Sequence, residues 1–205
     1  VSDVIEIIVY DVFSVGNFYN RTDSDSRYVN HDSGTLGTDN FIAGNNAGDS
    51  IVSGGNYNTL IGNEAGTAIN TGDNNTVVGY QAGDAITTGG GNVAIGSGAL
   101  SSGDTDSNSV AVGYNALASL NVGGNSNVAV GYNALTNNVS GGNNTAIGTN
   151  ALTSLDTSGG ASDRNNTAVG NSAGQSVTSG YANTLVGGNC GDALTTGFNN
   201  VAIGK

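Results

Sequence analysis

The sequence contains no proline, methionine or tryptophan, and only one cysteine and one histidine among its 205 residues. A single cysteine, Cys190, excludes an intrachain disulfide framework. A single histidine, His31, leaves little material for a nucleophilic triad, which usually needs a histidine base. Long aliphatic runs are also missing, so we expect no membrane insertion.

Positive charge is scarce as well. Four Lys and Arg residues stand against 16 Asp and Glu residues, which gives a net charge of −12. Nucleic-acid binding rewards basic residues facing phosphates, so we expect no nucleic-acid partner. Residues 1–39 carry seven of the acidic groups, whereas residues 40–205 consist mostly of Asn, Ser, Thr, Gly and Ala.

A repeated pattern fills the neutral part of the chain. The motif Asn-(Thr/Val)-x-(Ile/Val)-Gly recurs with spacings of 17 or 18 residues and one of 22, where 154–165 carries a five-residue insertion. A fixed period of this kind indicates a solenoid, in which each unit buries its apolar face against its neighbours. The motif glycines are Gly44, Gly62, Gly79, Gly96, Gly113, Gly131, Gly148, Gly170, Gly187 and Gly204.

The columns of the repeat predict its secondary structure. The residue before the glycine is β-branched in nine of ten repeats, and the residue three before it is Thr or Val in all but one. These two columns share a face if the segment is a strand, with a column rich in Ala between them on the other face. Asparagine precedes the strand in nine of ten repeats, and stacked amides can hydrogen-bond from coil to coil as a ladder. The predicted ladder comprises Asn58, Asn75, Asn92, Asn127, Asn144, Asn166, Asn183 and Asn200.

Seventeen residues suit two short strands and two Gly/Asn turns per coil. We therefore predict an all-β chain, a parallel β-solenoid (β-roll) of about ten 17-residue coils over residues 39–205, and we expect the repeats to continue beyond 205. Residues 1–38 form a separate N-terminal segment. Within it, Val4–Val15 is strand-like and 20–27 is a polar linker, and together they are expected to cap the first coil.

Both faces of the repeated strand are apolar, but a thin solenoid has a single interior. The second face needs a cover, and another copy of the chain is the economical one. We predict a homo-oligomer, most simply a homotrimer.

Two stretches resemble known families. Asn127–Gly131 (NVAVG) followed by Tyr-Asn-Ala-Leu, and the same pattern one repeat later, resemble the head repeats of trimeric autotransporter adhesins (YadA-like heads). That resemblance implies a trimeric, left-handed parallel β-roll, although the family's repeats are nearer fourteen residues. The stretch Tyr10–Asn30 carries Tyr19, Arg21, Thr22 and Asp23 before an Arg-Tyr pair, and it resembles linker segments of bacteriophage tail fibres.

Together the resemblances imply a non-catalytic structural segment of a phage virion appendage that projects or presents a host-attachment surface. They imply a virion location and two kinds of partner besides identical chains, namely other virion or fibre proteins and a host-surface glycan or protein. The alternative is a bacterial surface adhesin or extracellular filament subunit. A polysaccharide depolymerase tailspike is the third candidate.

Catalytic chemistry has little support in the residues. Glycoside cleavage needs two carboxylates about 5–9 Å apart, and Asp104 and Asp106 lie together only in a turn. We interpret His31 as a solvated loop residue and Cys190 as a small core thiol that replaces Ala in a buried column. We therefore expect no catalytic, cofactor-binding or metal-binding residue; the alternative for the two aspartates is a structural cation.

Three tyrosines are candidate ligand-binding residues. Tyr80, Tyr114 and Tyr132 each directly follow a motif glycine. Tyrosine rings above turns rich in Ser, Thr and Asn can stack on sugar rings, which makes these residues candidate glycan contacts. The alternative is that they cover adjacent turns or an oligomer seam.

Overall fold

The computed structural model describes residues 29–31, 37–120, 124–156 and 164–205. Their strands form one eleven-stranded sheet whose spatial order follows the chain. The strands are β1 (Val29–His31), β2 (Phe41–Ala43), β3 (Thr59–Ile61), β4 (Thr76–Val78), β5 (Val93–Ile95), β6 (Val110–Val112), β7 (Val128–Val130), β8 (Thr145–Ile147), β9 (Thr167–Val169), β10 (Thr184–Val186) and β11 (Val201–Ile203).

The ten strands β2 to β11 are parallel and in register, each pairing with the equivalent residues of the next repeat. The predicted parallel β-solenoid with coils of about 17 residues is therefore confirmed. Ten strands enclose nine complete turns, so the described solenoid has about nine turns rather than about ten. No helix occurs among the described residues.

The prediction of two strands per coil is wrong in the described part of the chain. After each motif glycine the backbone forms turns, because the second and fourth residues after the glycine are left-handed in every coil, with φ of 49–70°. Alternating left-handed residues cannot continue an extended strand. These turns still hydrogen-bond to the next coil, as from the Gly48 N–H to the Ala65 carbonyl at 3.0 Å.

The interior of the solenoid is built from three columns. The middle residue of each strand points inward and is buried in β2 to β10, while its two neighbours point outward. The alanine column three residues after the glycine is also buried, and so are most aliphatic residues seven after it, such as Ile69 and Leu120. The Ala-rich column is thus the inner face, and the Val/Ile and Thr/Val columns form the outer one.

Two inner columns exchange volume with each other. Where the middle strand residue is large, as in Ile42 or Leu60, the fourth residue after the glycine is Gly. Where it is Ala, as in Ala94, that residue is Leu100 or its equivalent, except in the coil of Ala168, which has Gly174. A Cβ on Gly48 would lie 3.1 Å from Cδ1 of Ile42 in its own coil and 2.7 Å from Cδ1 of Leu60 in the next coil, so there is no room for a large side chain at position 48. The interior of most coils therefore holds one large side chain from these two columns, which keeps the core closely packed.

Four leucines accept backbone strain to fill this space. Leu100, Leu117, Leu135 and Leu152 have φ of 49–55° and are completely buried. A left-handed conformation costs an L-residue roughly 1–2 kcal/mol, whereas burying a leucine side chain contributes about 1.5–3 kcal/mol. Burial therefore offsets the strain.

The asparagine column holds each coil closed. In the central example, Asn75 Nδ2 donates to the Gly89 carbonyl across the same coil (2.9 Å), and Asn75 Oδ1 accepts the backbone N–H of Asn92 in the next coil (3.0 Å). Its amide also donates to Asn58 Oδ1 at 3.1 Å. Equivalent side chain to backbone bonds run along the column from Asn40 to Asn200.

Ser109 is the one interruption in this column. Its hydroxyl accepts the Asn127 N–H at 3.2 Å, which preserves the bond between coils. A serine has no amide to bond across its own coil, and the Gly124 carbonyl is bonded instead by Asn127 Nδ2.

The motif glycines are required by close packing between coils as well as by conformation. Gly79 has φ of 138°, and a Cβ there would lie 2.7 Å from the carbonyl oxygen of Gly96. Any other residue at this position would clash with backbone, which cannot move aside as a flexible side chain can.

The predicted N-terminal cap stays a prediction. The strand predicted over Val4–Val15 and the linker over 20–27 lie outside the described residues, so the domain boundary at 38 stays a prediction. The interpretation of His31 as a loop residue is corrected: its backbone belongs to β1, which pairs antiparallel with β2 opposite Phe41.

We predict that Asn75→Ala lowers the free energy of unfolding by about 2–5 kcal/mol, because it leaves the Gly89 carbonyl and the Asn92 N–H buried without partners. Asn75→Ser should lose about half as much, since a hydroxyl can accept the N–H as Ser109 does. Denaturant unfolding measures both. Equal losses for the two variants would contradict the ladder's role between coils.

Candidate functional site

Cys190 lies several coils from Asp104 and Asp106 along the solenoid. Cys190 is buried near the last coil, and its Sγ lies 3.2 Å from the Ala202 carbonyl oxygen. That is the environment of a packed core thiol.

The two neighbouring aspartates both make hydrogen bonds within the fold. Asp106 is completely buried in a column otherwise occupied mainly by glycine, and its Oδ1 accepts the Gly124 N–H at 2.8 Å. Asp104 Oδ1 accepts a hydrogen bond from the Thr87 hydroxyl of the preceding coil. Each carboxylate is therefore tied to the neighbouring coil, which is a structural task.

Within residues 29–31, 37–120, 124–156 and 164–205, no group of three or more His, Cys, Asp or Glu side chains is placed to hold a metal ion. The same residues include no helix with the length and apolar character needed to traverse a lipid bilayer.

The candidate glycan contacts form part of one outer column. Tyr80, Tyr114 and Tyr132 each expose about half of their surface to solvent (51%, 52% and 51%). Tyr114 and Tyr132 lie in adjacent coils and stack, with ring centroids 5.5 Å apart and planes 10° apart. The column reads Asn45, Asn63, Tyr80, Ser97, Tyr114, Tyr132, Thr149, Asn171 and Gly188.

A second aromatic pair was missed by the sequence interpretation. Tyr181 and Phe198 stack with centroids 4.9 Å apart and planes 2° apart, and both are exposed. They lie six residues before their motif glycines, so the 17-residue period would have placed them in one column. They lie towards the C-terminal end of the solenoid, away from the three tyrosines.

The outer face of the sheet from β2 to β11 carries no charged residue. It consists of the first and third residues of these ten strands, all Thr, Val or Ile except Phe41 and Ala43. These side chains are half-buried or exposed, with Ile61, Ile95 and Ile147 at 37–40% exposure. Neighbouring strands about 4.8 Å apart give a strip roughly 43 Å long from β2 to β11.

One carboxylate is in an unfavourable setting. Burial raises the pKa of Asp84 above its ordinary value of 3.8, and Glu64 of the preceding coil adds to the rise, against hydrogen bonds from the backbone N–H groups of Asp84 and Ala85. Asp84 Oδ1 is buried without a hydrogen-bond partner in the described structure. Glu64 itself is bonded by Gln81 Nε2 at 2.8 Å.

Comparison with known proteins found no match for this chain among protein-family models, curated proteins or solved structures.

We predict that Asp84→Asn raises the melting temperature at pH 7 by about 1–3 °C. An acid whose pKa is raised on folding favours the folded state below its unfolded pKa of 3.8, and this contribution is lost as pH rises through the raised value. The variant should therefore gain at neutral pH and match the parent below about pH 3.8. Asp192→Asn, an exposed carboxylate in the same column, is the control and should change little. A gain that is independent of pH would contradict the electrostatic cause.

Proposed function

We propose that this chain is a structural segment of an extended, self-associating fibre that presents its outer columns to a binding partner. The observation that carries the proposal is the outer sheet face, where ten parallel strands display Thr, Val and Ile without a single charge. A long flat apolar strip on a protein otherwise covered by Asn, Ser and Thr is typical of an interaction surface.

The interior supports a mechanical role. Every coil is joined to the next by strand pairing, turn hydrogen bonds and the asparagine column. A solenoid built of such nearest-neighbour contacts extends in one direction with a constant cross-section. Such a rod can hold a binding surface at a distance from the point where the chain is attached.

The size of the strip favours identical chains as its cover. At roughly 43 Å by 10 Å, it offers on the order of 400 Å², and a stable interface takes about 800 Å² from each partner. Columns beside the sheet must therefore join the contact. A second copy meets this need because its coils have the same spacing, so rows of side chains can match over the full length. We propose a homotrimer, in keeping with the resemblance to trimeric adhesin heads.

The resemblance of the N-terminal linker to phage tail-fibre segments favours a virion appendage as the location. The partners would then be other virion or fibre proteins and a host-surface glycan or protein. The second candidate is a bacterial surface adhesin or extracellular filament subunit, and it is favoured by the repeats rather than by the linker. The carboxylates of Asp104 and Asp106 each accept a hydrogen bond from a neighbouring coil, which argues against a catalytic role for them in a depolymerase.

We predict that the full chain sediments as a trimer and that Val112→Lys with Val130→Lys converts it to monomers. The two residues are neighbours in one outward column, so the change places two desolvated charges in the contact. Analytical ultracentrifugation with circular dichroism measures assembly and folding together.

The matched control is Thr88→Lys with Thr105→Lys, which adds the same charge at exposed turn positions of adjacent coils. It should remain trimeric. A wild-type chain that is monomeric at all accessible concentrations would overturn the self-association, and a monomerised control would show that added charge alone disrupts it.

We predict that antibody raised against residues 39–205 labels virion tails or other virion appendages in immunogold electron microscopy of the native source. Gold along cell surfaces or free filaments would contradict the virion location and support the adhesin or filament candidate. Release of reducing ends from host polysaccharide by the purified chain would contradict the non-catalytic role.

A further inference from the structure

One coil interrupts the tyrosine column. Tyr80 and Tyr114 lie two coils apart, and the coil between them carries Ser97 where they carry a ring. The side chain at the next position is also smaller in this coil. Gly98 takes the place that Gln81 and Asn115 occupy in the same column of the flanking coils. The surface therefore has a notch one coil wide, which we define by Tyr80 and Gln81 on one side, Ser97 and Gly98 on its floor, and Tyr114 and Asn115 on the other side.

The width of the notch follows from the coil spacing. Tyr114 and Tyr132, one coil apart, stack with centroids 5.5 Å apart and near-parallel planes. Tyr80 and Tyr114 are attached two coils apart, roughly 9.6 Å at a strand spacing of about 4.8 Å, so a flat ring placed above Ser97 would lie about one coil spacing from each side. Aromatic rings stack favourably at centroid distances of this size. The notch thus has the dimensions of one missing ring in the stack.

The floor and edges of the notch offer polar groups. The Ser97 hydroxyl and the Asn115 amide make no hydrogen bond to another described residue, and Asn115 Oδ1 lies against Gly98. The backbone groups beneath them are hydrogen-bonded between coils. The Gly98 N–H donates to the Tyr80 carbonyl and the Asn115 N–H donates to the Ser97 carbonyl, both at 3.0 Å. A ligand would therefore meet side-chain groups over a fixed backbone.

We propose that this notch binds one pyranose ring of a glycan, sandwiched between Tyr80 and Tyr114, with its hydroxyls bonded by Ser97 and Asn115. A pyranose suits the site because it has two apolar C–H faces and a polar rim, which matches two aromatic walls and a polar floor. The inference rests on the proposed function, since it names the ligand class of a surface that the fibre would present.

The test is saturation-transfer difference NMR on the full chain with methyl pyranosides of glucose, galactose, mannose and N-acetylglucosamine, each up to about 20 mM to cover mM affinities. At least one should bind, and Ser97→Tyr should lose that binding by at least about tenfold because the new ring fills the notch. Tyr80→Ala and Tyr114→Ala should weaken it to a similar extent.

The matched control is Thr149→Tyr, which adds a ring at an exposed position of the same column, beyond Tyr132, without filling the notch. It should bind as the parent does. The proposal is overturned if no pyranoside binds, if Ser97→Tyr binds unchanged, or if phenol binds where all pyranosides fail. These failures are separable from failure of the proposed fibre, because trimer formation is measured by sedimentation without any sugar.

Discussion

The structure depends on how each coil closes across its own width. A 17-residue coil turns twice within a narrow cross-section, so backbone carbonyls such as that of Gly89 are buried at its inner corner. An asparagine side chain is short enough to stay inside and has both a donor and an acceptor. Its donor reaches that carbonyl and its acceptor takes the N–H of the next coil. A buried polar group left unpaired costs about 1–3 kcal/mol, so an interruption in the column requires compensation, as Asn127 provides beside Ser109.

A coil of fixed width has a fixed interior volume. Large strand residues therefore occur with Gly four positions after the motif glycine, and alanines occur with Leu there. The coil of Ala168 has small residues at both positions, and its space is filled from the neighbouring coils: a Cβ on Gly174 would lie 2.7 Å from Leu185 Cδ1 and 2.9 Å from Leu152 Cδ2. The core is thus packed along the solenoid as well as within each coil, which is why volume is conserved over neighbouring repeats rather than in each one.

The period, the solenoid, the inner alanine columns and the residues of the asparagine column could all be predicted from the sequence, because each is a strict repetition of residue type. The turn conformation could not. Left-handed residues are expected to be Gly or Asn, yet Leu135, Gln81 and Tyr57 adopt this conformation here. Coil stacking and burial impose it against local preference, and a single strand per coil is the result. The notch could not be predicted from the repeat for a different reason: it arises from a single departure within a column, whereas the repeat specifies only the residues that recur.

Inner and outer positions of the repeat differ in how strongly the fold restricts their residues. The inner columns and the asparagines are constrained by volume and hydrogen bonding, so they hold nearly constant residues. The column after the motif glycine lies on the outer surface, and it varies from Gly to Tyr while the coil keeps the same backbone. A rigid repeat thus sets the spacing of surface side chains to about 4.8 Å per coil, while their identity is free. The proposed recognition would therefore be specified by the order of residues in an outer column, where one Ser among tyrosines alters the surface and leaves the repeated motif unchanged.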